Sequence, residues 1–226
     1  MSGTVGPRPE SIFNRFSFQF DGTDEYVTLG NSSTFNITGN QSISCWIKFT
    51  DNGVTRYAVN IKDIYGIYTN GGKIFGTSRI SGTFKSVGSI SNYNDGQWHH
   101  VLFVKNATNQ LLYLDGSLEN STTDGGTSLG TSLDARLGNR YTNTNYYEGL
   151  MDEVAVWDSD QSTNISIIYN SGVPNDLTSL SPLGWWRMGD IDTWNGSVWT
   201  LTDQGSGGND GISSGMDENN RVLDTP

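Results

Sequence analysis

Apolar residues in this chain recur with a period of two, in runs too short to build long helices. Phe16, Phe18 and Phe20 alternate with Ser17 and Gln19, and Ile43, Cys45, Ile47 and Phe49 share one face of a second run. Period two belongs to a strand, whose successive side chains point to opposite faces of a sheet. Similar runs at residues 26–29, 55–61, 65–69, 73–77, 83–87, 98–105, 111–114, 117–120, 135–138 and 147–157 predict a dozen or so strands. Asp21-Gly22, Asn70-Gly71-Gly72 and Asp115-Gly116 are turn signals between them. Near-regular spacing of strands and turns predicts an all-β fold, a two-sheet antiparallel β-sandwich.

Composition points the same way. Gly, Ser, Thr and Asn number 28, 26, 23 and 22 of 226 residues, and all four are poor helix formers, so a large helical bundle is excluded. Aromatic residues, at 12%, are plentiful enough for a sizeable core. One short helix is expected, capped by Ser162, with Ile165, Ile168 and Tyr169 on one face and Gly172 and Pro174 ending it. Residues 183–189 read as a closing strand, and from Trp194 onward the chain is polar and turn-laden. The expected organisation is an arm over residues 1–14, one domain over 15–202 and a polar tail over 203–226.

Thirteen basic against 24 acidic residues give a net charge of −11, which repels a phosphate backbone and excludes nucleic acid as a partner class. No stretch of 18 apolar residues occurs, so no membrane insertion by a helix is expected. The first residues lack the apolar core of a secretion signal, which predicts synthesis and folding in a cytoplasm. Cys45 is the single cysteine, so an internal disulfide is impossible.

Certain runs carry a resemblance. FDGTDEYVTLG (20–30), SISCWIKF (42–49), DGQWHHVLFVKN (95–106), LYLDGSL (112–118), RLGNR (136–140) and YEGLMDEVAVWDS (147–159) resemble, in that order, the laminin G-like, concanavalin A-like jelly roll. The similarity covers residues 16–174. GWWRMGD and DQGSGGNDG resemble a segment that usually precedes such a domain; here they follow it. The resemblance implies that Ca²⁺ binds where the first turn approaches the last strand, which nominates Asp21, Asp24 and Asp152. Asp21 and Asp24 equally suit Asx hydrogen bonds within their own turn.

Trp46, Trp98 and Trp157 are expected in the core. His99 and His100, adjacent on a strand, face opposite ways and cannot share an ion. Some members of the superfamily are glucanases with a row of acids along one strand; here Leu150 interrupts Glu148-Gly-Leu-Met-Asp152, and no nucleophile elbow occurs, so no enzyme is expected. Tyr65, Tyr68, Tyr141, Tyr146, Trp194 and Trp199, in or beside loops, are nominated to contact a glycan or a partner chain. The expected function is non-catalytic: a virion surface protein of decoration, fibre or knob type, resembling phage structural proteins and made in a host cytoplasm. The alternative is a free-standing extracellular lectin module that captures cell-surface glycans. Other virion proteins, glycans or further copies of the chain are the expected partners, with both terminal segments ordered only against another subunit or the domain's own sheet edge.

Overall fold

The computed structural model describes residues 13–51 and 53–226. In chain order the strands are β1 (Ser17–Asp21), β2 (Tyr26–Gly30), β3 (Gln41–Lys48), β4 (Arg56–Ile61), β5 (Tyr65–Asn70) and β6 (Lys73–Ile80). There follow β7 (Thr83–Gly88), β8 (His99–Lys105), β9 (Gln110–Leu114), β10 (Ser117–Thr122), β11 (Ala135–Leu137) and β12 (Glu148–Trp157). The last five are β13 (Gly184–Trp186), β14 (Thr193–Trp194), β15 (Trp199–Leu201), β16 (Gly211–Ser214) and β17 (Arg221–Val222). They form two antiparallel sheets. The first runs β10-β9-β8-β3-β12-β1-β17, with β13 also on β12; the second runs β14-β15-β16-β2-β11-β4-β5-β6-β7.

Period-two patterning explains the packing. Phe18, Phe20, Ile43, Cys45 and Ile47 of the first sheet meet Val27, Ile67, Ile74 and Val87 of the second in one buried cluster. A second cluster lies on the outer face of the first sheet, where Leu102, Val104, Trp157 and Trp185 are covered by Ile168 of helix α1 (Ile165–Tyr169). Trp46 and Trp157 are buried as expected. The turn signals also hold: Gly71 and Gly72 both take positive φ between β5 and β6, as do Asp115 and Gly116 between β9 and β10.

Three expectations need correction. Trp98 is not in the core: it precedes β8, is only half-buried, and its Nε1 donates to Asp224 Oδ1 at 2.8 Å. Ser162 does not cap the helical segment; Asp160 Oδ1 accepts from the Ser162 backbone N–H at 2.9 Å instead. Residues 203–226 are not a tail outside the sandwich. β16 is paired with β2 and β15, and β17 with β1, so the terminal segment belongs to both sheets. The arm expected over residues 1–14 lies outside the described residues except for Phe13 and Asn14.

Candidate functional site

Strands β4 to β7 turn alternate residues away from the core. Ile67 and Ile74 point inward, so their neighbours Tyr68 and Phe75 point out, and Val87 likewise leaves Phe84 and Ser86 outward. These outward residues, with Thr55, Tyr57, Asn70, Thr77 and Arg140, line an open groove of about 440 Å³. One wall is an aromatic ladder perpendicular to the strands. Tyr57 pairs across the sheet with Tyr68, and Tyr68 with Phe75. Their ring centroids stand 5.3 and 4.8 Å apart, the second pair nearly parallel. Phe75 leans over Gly88, where a Cβ would fall 2.3 Å from its Cε1, so only glycine leaves room for the ring.

The other wall is Phe84, with the Arg140 guanidinium 5.7 Å from its ring centroid. Hydroxyls join the walls: Ser86 Oγ donates to Thr77 Oγ1 at 2.9 Å, and Asn70 Nδ2 donates to Thr55 Oγ1 at 2.6 Å at one end. Burial pushes the Tyr57 phenol up to about 12, so near neutrality its hydroxyl is a hydrogen-bond donor, never an anion. Arg140 donates through Nε and Nη2 to the two oxygens of Asp63, at 3.0 and 3.2 Å. The groove therefore offers apolar ring surface, hydroxyl and amide groups, and one guanidinium.

Of the nominated contact residues, Tyr68 lines the groove, and Tyr141 packs under Arg140 at 5.5 Å. Tyr146 lies against Tyr26, at 6.5 Å between centroids. Tyr65 and Trp199 are corrected to the core, 1% and 2% exposed. Tyr65 shares the inward phase of Ile67, and Trp199 packs edge-on against Phe18 at 5.2 Å. Trp194 is half-buried on Trp199, 5.5 Å away. Tyr57, Phe75 and Phe84 lie in expected strands but are not among the nominated residues, and neither is Arg140, which follows β11 in the loop to β12; extending the inward phase of each strand to its outer face identifies the three aromatic ones.

The nominated calcium ligands do not converge. Asp21 stands opposite Glu148, and Asp152 lies four residues further along β12, about 13 Å at the usual strand rise. Asp21 Oδ1 accepts from the Thr23 N–H at 2.7 Å, the Asx turn that was the other reading. Asp152 is buried and accepts from Asn14 Nδ2 at 2.9 Å; burial holds its carboxyl well above the usual range. Among the described residues no group of three or more His, Cys, Asp or Glu side chains is placed to share a metal ion. Where the first turn nears the start of β12, Arg56 takes the available oxygens. It pairs with Asp51 at 2.9 Å and Glu148 at 2.7 Å, and donates to Gly22 O and Tyr146 O at 3.3 and 2.9 Å. Asp24 shares the β1–β2 turn with Asp21, but among the described residues no third carboxylate joins them in a group that could hold a metal ion, and a guanidinium occupies this corner, so the donor set does not fit Ca²⁺.

Strict alternation also fails at Asp152-Glu153. The register of β12 on β3 shifts between Asp152 and Ala155, Glu153 takes φ +49°, and both carboxylates are buried. Glu153 accepts from Arg187 Nε at 2.9 Å and Trp185 Nε1 at 2.7 Å, a structural network. The histidines are also structural. His100 is buried against Ser44 Oγ at 2.8 Å, and His99 is held between Asp115 and Asp95 at 2.8 and 3.1 Å.

A two-sheet jelly roll with an aromatic groove on one outer face defines a class of sandwich proteins, and comparison places the chain within it. Residues 21–164 match the model of the concanavalin A-like lectin/glucanases superfamily, and the chain belongs to that family. Among curated proteins none matches. A Bacteroides ovatus protein provisionally assigned to carbohydrate binding has a similar structure, with TM-score 0.73 and 13% identity over 96% of this chain. The match spans only 61% of that protein. The heptameric SAP-like pentraxin of Limulus polyphemus (TM-score 0.56, 13% identity, 86% of this chain, 97% of that) and domains LG4-5 of the mouse laminin α1 chain (0.51, 16%, 70% of this chain, 48% of that) are also similar. At these identities the likeness is one of fold. Among the described residues no helix is long and apolar enough to cross a membrane.

Proposed function

We propose that the protein is a non-catalytic glycan-binding module and that its binding surface is the groove on β4 to β7. The observation that carries this reading is the composition of the lining: three tyrosine or phenylalanine rings in a ladder, a fourth opposite, and hydroxyl and amide groups between them. A sugar presents an apolar ring face and a rim of hydroxyls, and such a lining meets both. The similar Bacteroides ovatus protein supports the reading by its provisional assignment. Catalysis is not part of it. Glycoside hydrolysis needs two carboxyl groups flanking the bond, and none of the groove's lining residues is Asp or Glu.

The terminal segments are expected from the sequence to order only against another subunit or against the domain's own sheet edge. β16 and β17 take the second course for the segment after residue 203, and the groove supports glycan capture more directly than a virion-surface role. Glycans are met outside cells, and the working place we assign is a cell exterior or a virion surface. The test is a glycan array followed by titration of Phe84→Ala and Tyr68→Ala. Both variants should fold and lose about tenfold or more in affinity for the array hits. Variants that bind as the parent does would remove the groove from the account.

A further inference from the structure

The Arg140 guanidinium is the one cationic group among the groove's lining residues, and its state decides what charge a ligand carries. Its partner comes from the β4–β5 turn. There the Ile64 N–H donates to Ile61 O at 2.9 Å, and the two central residues, Lys62 and Asp63, take φ of +56° and +55°. That is a type I′ turn, which favours Asn and Gly. The corresponding turn between β5 and β6 holds Gly71-Gly72. Here a lysine and an aspartate are retained in a costly conformation, and each has a specific task. Lys62 Nζ donates to Asn31 Oδ1 and so does not compete for Asp63. Asp63 spends both carboxylate oxygens on Arg140.

The two partners differ in access. The Asp63 side chain is 4% exposed and that of Arg140 31%, so a ligand in the groove reaches the guanidinium and not the carboxylate. Arg79 approaches Phe84 at 5.7 Å but is not part of the lining, and its Nε donates to Gly82 O within its own hairpin. We infer that Asp63 determines the ligand class of the groove: by neutralising Arg140 from beneath, it makes the groove select uncharged glycans over uronate-bearing ones. Arg140 then acts as a fixed hydrogen-bond donor to hydroxyls, held between the Phe84 and Tyr141 rings, whose centroids lie 5.7 and 5.5 Å from its guanidinium carbon. The net charge of −11 adds to the exclusion of anionic chains. This rests on the glycan-binding reading above and adds specificity to it.

Matched pairs of oligosaccharides test it, galactan against galacturonan fragments and mannan against mannuronan fragments, by calorimetric titration of the full chain at low and high salt. The parent should bind a neutral member, with little salt dependence, at least about tenfold more tightly than its uronate counterpart. Asp63→Asn keeps the shape and suits positive φ, so the turn should survive. It frees the guanidinium charge and should shift the preference toward the uronate by about tenfold. Arg140→Gln should weaken neutral binding without any gain for the uronate. A parent that binds uronates as well as neutral fragments, or an Asp63→Asn preference equal to that of the parent, would overturn the inference while leaving glycan binding intact. Failure of every fragment and every array glycan to bind would instead remove the underlying reading.

Discussion

Buried ionisable residues give this protein a pH signature. Burial raises Glu153 to about 7, against the pull of Arg187 and Trp185. Burial alone would lower His99, but hydrogen bonds to Asp115 and Asp95 outweigh it and raise the imidazole. Both folded-state values lie above the unfolded ones, so the folded protein holds the extra protons near neutrality. The associated stability is full below the unfolded values and is lost as pH rises through the folded ones. His100, pushed down to about 3 by burial, acts oppositely, but only below its unfolded value of about 6.5. Below about pH 6.5 His100 offsets Glu153, so the thermal midpoint should fall as pH rises from about 6.5 through 7 and on through the raised His99 value, and Glu153→Gln should flatten the lower part of that fall. A midpoint that rose across this interval would contradict the assignment. Tryptophan position matters at the same scale. Trp157→Ala should cost about 3–5 kcal/mol in urea titration. Trp98→Ala, at a half-buried site with one hydrogen bond, should cost clearly less; equal losses would return Trp98 to the core.

At the scale of elements, legibility followed periodicity. Strands β1 to β12 are legible either through alternation, as in residues 16–20 and 42–45, or as apolar runs bounded by turn signals, as in β8 and β9. β14 to β17 are not, because they are two to four residues long and carry one or two apolar side chains each. Their order comes from pairing to β2 and β1, which no local pattern encodes. The groove was half legible for a related reason. Tyr68 is legible beside the Asn70-Gly71-Gly72 turn, whereas Phe75 and Phe84 are single aromatic residues within expected strands and read there as core. Deletion of residues 203–226 exposes one long edge of β2 and removes a strand from β1. The shortened chain should lose cooperative unfolding. A truncated protein that unfolds with the parental midpoint and steepness would show the segment to be an accessory.

At the scale of the whole molecule, the terminal segment closes the sandwich beside the strands that open it, since β17 pairs with β1. The rim is then tied by side chains. Arg56 links the β1–β2 turn, the loop before β4 and the start of β12, the place where the family resemblance implied a cation. The thermal midpoint should accordingly be the same in millimolar Ca²⁺ and in chelator. Arg56→Met should lower it, by about 2 kcal/mol of stability, because two carboxylates and two carbonyls lose a shared donor. A chelator-sensitive parent would refute this account of the rim.

The central claim is that the ladder and Phe84 form one glycan-binding groove, and side-chain NMR of the aromatic residues during titration with an array-selected oligosaccharide tests it most directly. Resonances of Tyr57, Tyr68, Phe75 and Phe84 should shift together and saturate with a single affinity. Those of Trp98 and Tyr169, which line a separate pocket at the start of β8, should stay in place. Shifts at Trp98 and Tyr169 with the ladder unmoved would contradict the assignment and relocate the site.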